Sequence, residues 1–234
     1  MDLRELTRPD ASARERYDLL APYYDRYVQW FERDHVERLL EDLALEPGET
    51  VLDVGCGPGT ALVSLGERVG PEGTVVGLDV SGEMIERARE RLERRGFGDR
   101  AILVHGDARN MRRIADASVD AIVMTFTFEL LSRADQERVL EECRRVLAPG
   151  GRLGVCSLAR EDHLTVTIYE ALHRRLPGVF DCRPIDLERR LEASDFSIRS
   201  TWTDELYGLP VTGVVVVDSD SSDSFGWPLG CDRV

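Results

Sequence analysis

The sequence predicts a doubly wound α/β fold, in which helices cover both faces of a mostly parallel β-sheet. Short apolar runs alternate with amphipathic helical stretches over about 110 residues, the pattern of repeated strand–helix–strand units. The apolar runs do not alternate with polar residues, as expected of strands buried on both faces. A glycine-rich turn directly follows the first run. A strand, a glycine turn and a helix in succession are typical of a site where backbone contacts a ligand.

Five strands and three helices are predicted in this alternating region. The strands are Thr50–Val54, Thr74–Leu78, Ala101–His105, Val119–Phe126 and Arg152–Ser157. The helices are 61–69, 81–95, with Ser81 as its N-cap, and 134–147. The turn Pro149-Gly150-Gly151 precedes the fifth strand.

Other elements flank the alternating region. A helix is predicted over 12–31, with a bend at Pro22, and a second helix with apolar residues on one face ends at Glu46-Pro47-Gly48. After the fifth strand, helices are predicted over 162–175 and 184–194. Two further strands, Phe196–Leu206 and Val211–Val217, are joined by residues 207–210 as a hairpin. Residues 218–234 are acidic and rich in glycine and serine, which predicts a flexible tail.

The composition predicts a cytoplasmic protein with a single core. No apolar run approaches the ~20 residues that span a bilayer, and the polar stretch Met1–Asp10 resembles neither a signal peptide nor a transit peptide. The net charge of −14 disfavours nucleic acid and anionic membranes as partners. All basic residues are arginine, since the chain has no lysine. A salt-adapted organism or a GC-rich genome would each explain that bias. The oligomeric state is left open.

The chain has five cysteines with wide spacings and no Cys-x-x-Cys pair. An odd number at such spacings argues against a zinc site or a disulfide framework, and it favours reduced thiols. Cys56 lies inside the glycine turn, where a small side chain fits. Packing explains it better than nucleophilic catalysis does.

Acidic residues follow three of the predicted strands: Asp53 in the first, Asp79 after the second and Asp107 after the third. The carboxyl ends of parallel strands meet at one edge of a sheet, where ligands bind. A carboxylate is a pure acceptor with two oxygens. Asp79 therefore suits a pair of ribose hydroxyls, and Asp107 with the Ala108 N–H suits an adenine. Asp53 could orient the turn or reach a ligand ammonium through water.

Each of these residues also has a plain structural explanation. Asp79 lies beside a helix N-cap, Asp107 can begin a turn, and Met84 can be ordinary core rather than a wall against an adenine. The glycine spacing narrows the choice of ligand. The dinucleotide fingerprint requires a glycine at position 60, where this chain has Thr60, so the turn argues against NAD.

In combination, the motifs resemble the class I S-adenosylmethionine (SAM)-dependent methyltransferases over roughly residues 15–217. The resemblance rests on the turn 55–60, on Asp79, on Gly106-Asp107-Ala108 and on 145–153 before the fifth strand, in this order and spacing. With Tyr17-Asp18 and Tyr23-Tyr24-Asp25, it extends to the ubiquinone/menaquinone-biosynthesis C-methyltransferases and related small-molecule methyltransferases.

The resemblance implies a three-layer fold with a seven-stranded sheet of order 3-2-1-4-5-7-6 and strand 7 antiparallel. It implies one domain over 1–217, with N-terminal cap helices in 1–46 and a substrate-cover insertion in 158–195, and then the tail. SAM would lie across strands one to four and leave as S-adenosylhomocysteine. The implied cofactor-binding residues are Tyr24, Asp53, Gly55, Cys56, Gly57, Gly59, Asp79, Val80, Met84, Asp107, Ala108, Thr125 and Phe126. Tyr23 and Tyr27 are rivals of Tyr24.

SAM carries its own leaving group, so the protein mainly aligns the acceptor with the methyl group and excludes water. No metal and no protein nucleophile are expected. A base is needed only if the acceptor must lose a proton, and the catalytic residues are not identified by the sequence. The candidates are Glu129, His163, Tyr169 and His173. Glu129 is also explained as a helix-start acid, and His173, followed by Arg174 and Arg175, as part of a solvated face.

The expected acceptor is a small molecule. Phe126, Phe128, Leu130 and Leu131 indicate an apolar or aromatic acceptor, although they also fit a packed wall. No basic amphipathic helix is present to draw the chain to a membrane-bound quinone, and stable membrane insertion is not expected. Two alternatives are open: a non-catalytic SAM-binding module and a nucleotide-dependent oxidoreductase.

Overall fold

The structure is a computed structural model, and it describes residues 33–160, 184–206 and 208–218. These ranges form a seven-stranded sheet with helices on both faces. The first helix, α1, includes residues 33–43. The following elements are β1 (Thr50–Val54), α2 (Thr60–Val69), β2 (Thr74–Asp79), α3 (Gly82–Arg94), β3 (Ala101–His105), β4 (Val119–Thr125), α4 (Arg133–Val146), β5 (Leu147–Leu158), α5 (Leu187–Glu192), β6 (Phe196–Leu206) and β7 (Leu209–Asp218).

The strand order is β3-β2-β1-β4-β5-β7-β6, which confirms the predicted topology. The first five strands are parallel to one another, whereas β7 runs antiparallel to both β5 and β6. The direction of the strand order reverses between β1 and β4. This reversal is the point where an open α/β sheet has a crevice for a ligand.

Two apolar clusters cover the two faces of the sheet. One packs α1, α2 and α3 against one face, and it includes Leu40, Leu62 and Val123, all fully buried. The other packs α4 and α5 against the opposite face and is centred on residues such as Ile122 and Met124. Because consecutive strand residues point to opposite faces, Ile122 and Val123 fall in different clusters. This explains why the strands are apolar without alternation.

The helix starts follow the sequence closely. Ser81 caps α3, since its Oγ accepts a hydrogen bond from the Met84 N–H at 3.3 Å. Ser132 does the same for α4 with the Asp135 N–H at 3.2 Å. A capping serine satisfies one of the N–H groups left free in a helix's first turn. No helix in the described ranges is long and apolar enough to span a membrane.

Several predicted boundaries were wrong in detail. The hairpin turn is shorter than the predicted 207–210, because Leu206 already pairs with Leu209 and Glu205 with Pro210. Asp218 pairs with Phe196, so it ends β7 rather than beginning the tail. The predicted insertion begins one residue too early, because Leu158 belongs to β5. The predicted helices 12–31 and 162–175 and the predicted tail beyond 218 lie outside the described residues.

Candidate functional site

A cavity of about 710 Å³ lies where β1 to β4 end. Its lining includes most of the residues implied by the sequence, namely Gly55, Cys56, Gly57, Asp79, Val80, Met84, Asp107, Ala108, Thr125 and Phe126. Gly59 in the turn and Asp53 in β1 are not part of the lining. Tyr24 lies outside the described residues. The cavity therefore occupies the strand-order reversal that the fold provides.

The glycine turn is held against β2 by backbone hydrogen bonds. The N–H groups of Gly55 and Cys56 both donate to the Leu78 carbonyl, at 2.7 and 3.1 Å. Gly55 has a φ of 75°, and a Cβ there would lie 2.4 Å from the side chain of Thr127. Any larger residue at 55 would therefore collide with the segment that follows β4.

Gly57 differs from Gly55, because the space beside it is open. Its φ is 51°, yet a Cβ built on it would meet nothing within 4 Å. Because Gly57 lines the cavity, that open space is where a ligand can rest against bare backbone. The turn thus fits a ligand that approaches main chain closely, as the methionine part of SAM would.

Asp79 at the end of β2 connects the turn to the next helix. Its Oδ2 accepts from the Gly57 N–H and its Oδ1 from the Ser81 N–H, both at 2.8 Å. Burial raises the pKa of this carboxyl, and the N–H donors of Ser81 and Gly57 oppose that shift. Each oxygen retains a further lone-pair site, so the side chain can still accept from vicinal hydroxyls.

Asp107 after β3 is clamped by Arg109. The Arg109 Nε lies 3.0 Å from both Asp107 oxygens, and its Nη2 lies 2.6 Å from Oδ2. The Arg109 N–H also donates to Oδ1 at 2.9 Å, so Asp107 does begin a turn. Hydrogen bonds from Arg109 hold the pKa of Asp107 below its usual range. The carboxylate faces the cavity as a fixed, ionised acceptor.

Asp53 lies behind the glycine turn with only 1% of its surface exposed. Neither of its oxygens has a hydrogen-bond partner among the described residues. Burial, reinforced by the charge of Asp79, raises the pKa of Asp53 to about 7. A buried carboxylate without donors is costly, so a ligand that brings a cation or a bridging water toward it would relieve that cost.

Cys56 is buried beside these acids. Burial and the nearby charges of Asp53 and Asp79 raise the pKa of its thiol well above the ordinary value. A thiol in this state is a poor nucleophile, because the thiolate is the reactive form. The packing explanation of Cys56 therefore accords with its surroundings.

The end of β4 forms the wall opposite the turn. Phe126 is buried, has a φ of 51°, and donates its N–H to the Cys156 carbonyl at 2.8 Å. A left-handed conformation is unusual for an aromatic residue and marks local strain. It ends the strand at Thr125, one residue earlier than predicted. Leu130 and Leu131 extend the same apolar wall of the cavity.

The residues predicted as bases are not brought to the cavity within the described part of the chain. Glu129 is fully buried in the turn Phe128–Leu130 and does not line the cavity. Its Oε1 accepts from the Leu158 N–H at 3.3 Å, which links the ends of β4 and β5. The remaining candidates, His163, Tyr169 and His173, lie outside the described residues.

Helix α1 supplies wall residues that sequence reasoning missed. Arg33, Val36 and Glu37 line the cavity. The Glu37 carboxylate accepts from Ser64 Oγ and from Arg68 Nη2, both at 2.7 Å, which fixes α1 against α2. A helix places Arg33 and Glu37 on one face, so this spacing could have indicated from the sequence that the two residues act together. Arg109 and Asp135 were also missed, and nothing local in the sequence announces their contact.

Comparison with known proteins finds similarity to methyltransferases. Residues 51–151 match the family model described as a methyltransferase domain. A demethylmenaquinone methyltransferase from Lactobacillus johnsonii is 28% identical over 73% of this chain and 70% of its own length. Nocamycin O-methyltransferase from Saccharothrix syringae is 35% identical over 59% of this chain and 48% of its own.

A solved SAM-dependent methyltransferase from Aquifex aeolicus has the same fold, with a TM-score of 0.61 and 24% identity over 92% of this chain and 98% of that one. Across the curated relatives, the chain spans between 29% and 70% of their length. The sheet order, the glycine turn and the matched domain agree with one another. In these comparisons the chain is similar to the class I SAM-dependent methyltransferases, whose cofactor is SAM.

Proposed function

We propose that this protein transfers the methyl group of SAM to a small-molecule acceptor. The observation that carries the proposal is the hydrogen bond from the Gly57 N–H to Asp79, which joins the glycine turn to the acid after β2. That bond sets an exposed stretch of backbone beside an acceptor for hydroxyl groups. A ligand that combines an amino-acid end with a ribose matches the pair.

In this proposal, different residues of the cavity bind different parts of the cofactor. Gly55 and Gly57 receive the methionine part, Asp79 the ribose, and Asp107 with the Ala108 N–H the adenine. We assign Asp53 to the ammonium group through a water, since its buried oxygens have no donor among the described residues. Val80 and Met84 border the nucleoside from the β2 side.

SAM supplies a methyl group on a positively charged sulfur, and the chain's own residues need only orient the two reactants. Thr125 and Phe126 hold the wall at which the acceptor meets the methyl group, and Leu130 and Leu131 exclude water there. Glu129 supports this wall from behind through Leu158. Among the described residues, none is assigned as a general base, and His163 and Tyr169 remain candidates.

The apolar wall favours an acceptor with an apolar or aromatic body. Two relatives are named for small organic acceptors, demethylmenaquinone and nocamycin. The net charge of −14 opposes nucleic acid as the acceptor. A cytoplasmic location accords with the absence of a membrane-spanning helix in the described ranges.

Calorimetry with SAM, S-adenosylhomocysteine and NADH tests the cofactor assignment. Binding of the first two without NADH is the expected result, and binding of NADH alone would favour an oxidoreductase instead. Transfer of label from methyl-labelled SAM into an extract of the source organism, fractionated into small molecules, RNA and protein, then tests the acceptor. Label in the small-molecule fraction supports the proposal. Cofactor binding with no label in any fraction favours a non-catalytic SAM-binding module.

A further inference from the structure

Arg109 joins two walls of the cavity that are distant in the sequence. One end of its guanidinium contacts Asp107 after β3, and its Nη1 lies 3.2 Å from Oδ1 of Asp135 in the first turn of α4. All three residues line the cavity. Asp135 is itself held by Ser132, whose Oγ donates to its Oδ2 at 2.8 Å. The arginine therefore spans the cavity from a loop to a capped helix.

We propose that Arg109 is a positioning residue that fixes the Asp107 carboxylate and thereby makes the site prefer adenine over hypoxanthine. The inference rests on the proposed function, because it takes Asp107 as the acceptor for the base. Arg109 would thus be part of the cofactor site without touching the methyl acceptor. The role of Arg109 is to decide which nucleobase the cofactor site admits.

The contacts leave Asp107 one orientation. Three donors of Arg109, the backbone N–H, Nε and Nη2, converge on it within 3.0 Å. A guanidinium is a planar fork, and a fork on a carboxylate fixes its plane as well as its position. Because 40% of the Asp107 side chain is still exposed, and a carboxylate has about four lone-pair sites, it can also accept from a base.

A fixed acceptor discriminates between the two bases. Adenine offers an amino group to the carboxylate and an unprotonated ring nitrogen to the Ala108 N–H. Hypoxanthine reverses both groups, with a carbonyl oxygen facing the carboxylate and a ring N–H facing the Ala108 donor. A site built to hydrogen-bond one pattern rejects the reversed pattern strongly. A carboxylate free to rotate away would reject it less.

The contact with Asp135 connects Arg109 to a second element of the fold. If Arg109 contacted Asp107 alone, the two side chains could swing together on the loop. The contact from Nη1 to Asp135 ties the pair to α4, whose start is fixed by the Ser132 cap. We therefore expect loss of Asp135 to weaken the base preference less than loss of Arg109, but in the same direction.

Calorimetric binding of S-adenosylhomocysteine and S-inosylhomocysteine to the full chain tests the proposal. The wild type is expected to prefer the adenine compound by about 100-fold or more. R109Q should lose about tenfold in affinity for S-adenosylhomocysteine and little for S-inosylhomocysteine, so the preference falls about tenfold. R109K keeps the charge without the guanidinium fork, and its base preference should lie between those of the wild type and R109Q. The base preference of D135N should lie in the same interval. R113Q, which alters an exposed arginine in the same loop, is the matched control.

An unchanged base preference in R109Q overturns the proposal, even if both affinities fall together, since an equal loss is what a merely structural role produces. If R109Q does not fold, the same criterion applies to R109K and D135N. Failure of the wild type to bind either nucleoside overturns the proposed function itself, and the inference with it. Binding with an unaltered preference overturns the inference alone.

Discussion

The Asp79 carboxylate accepts a hydrogen bond from the Gly57 N–H at 2.8 Å, across 22 residues of sequence. Its other oxygen accepts from the Ser81 N–H at the start of α3. One side chain therefore sets the position of the glycine turn and of the next helix at once. In the proposed site, Asp79 therefore has two roles. It shapes the glycine turn that holds the methionine part of the cofactor, and it accepts hydrogen bonds from the ribose hydroxyls.

The first prediction concerns Asp79. D79A should weaken binding of S-adenosylhomocysteine by about 30-fold or more, because it removes a charged acceptor and leaves two backbone N–H groups without their partner. Calorimetry measures the affinity. E72A, which alters an exposed acid just before β2, should bind as the wild type does. An unchanged affinity in D79A would show that the ribose assignment is wrong.

The second prediction separates the ligand-facing glycine from the packing glycine. A Cβ at Gly57 meets nothing in the structure, whereas a Cβ at Gly55 meets Thr127 at 2.4 Å. G57A should therefore cost only about 1–2 kcal/mol of stability from its positive φ, but should lower S-adenosylhomocysteine affinity at least about tenfold. G55A should instead lower the free energy of unfolding by several kcal/mol.

Chemical denaturation and calorimetry on the same samples check this pair. G96A is the control for backbone strain, because Gly96 has a φ of +76° and open space around it but lies outside the cavity lining. It should lose stability as G57A does and keep its affinity. Equal affinity in G57A and G96A would remove Gly57 from the site.

Much of this fold was predictable because its signals are local. A strand covered on both faces must be apolar along its length, so Thr50–Val54 was predicted at its observed bounds. A serine before an amphipathic run predicts an N-cap, and Ser81 is one. The sheet order came from the resemblance, since nothing in one strand's sequence names its neighbours.

The details of the site were less predictable because they depend on contacts across the fold. Phe126 has a left-handed backbone that its sequence disfavours, and its N–H donates to the Cys156 carbonyl of β5, which lies far along the chain. The arginine that clamps Asp107 also contacts Asp135, which lies 26 residues beyond Arg109. The sequence therefore identified the acids as candidates, but not the donors that fix them.

The third prediction is a pH dependence of stability set by Asp53. Its pKa is about 7 in the folded protein against an ordinary value of 3.8. Between these values the folded state holds a proton that the unfolded chain has released, so stability falls as pH rises through this window. D53N removes that loss, and its Tm at pH 8 should exceed the wild-type value by about 5 °C.

Thermal unfolding between pH 4 and 8 measures the effect. The wild-type Tm should decline more steeply than the D53N Tm above pH 5, and the two curves should approach each other toward pH 4. At pH 8, D53N should also bind SAM more weakly, because the proposed partner of the ammonium group is lost. Parallel Tm curves would show that burial does not hold a proton on Asp53.

The fourth prediction concerns Arg152, the buried cation at the opposite end of the sheet. Its Nε donates to the Leu43 carbonyl at 2.7 Å and its Nη2 to the Ala44 carbonyl at 2.8 Å, while Nη1 lies 2.6 Å from Glu49. This fork joins the end of α1 to β5. R152K cannot reproduce three directed donors, and should cost about 3 kcal/mol in urea denaturation. R160K, at an exposed arginine just after β5, should change stability little.

Because α1 lines the cavity through Val36 and Glu37, R152K should also weaken S-adenosylhomocysteine binding. A variant as stable as the wild type would mean that the α1 end is anchored by its apolar face alone.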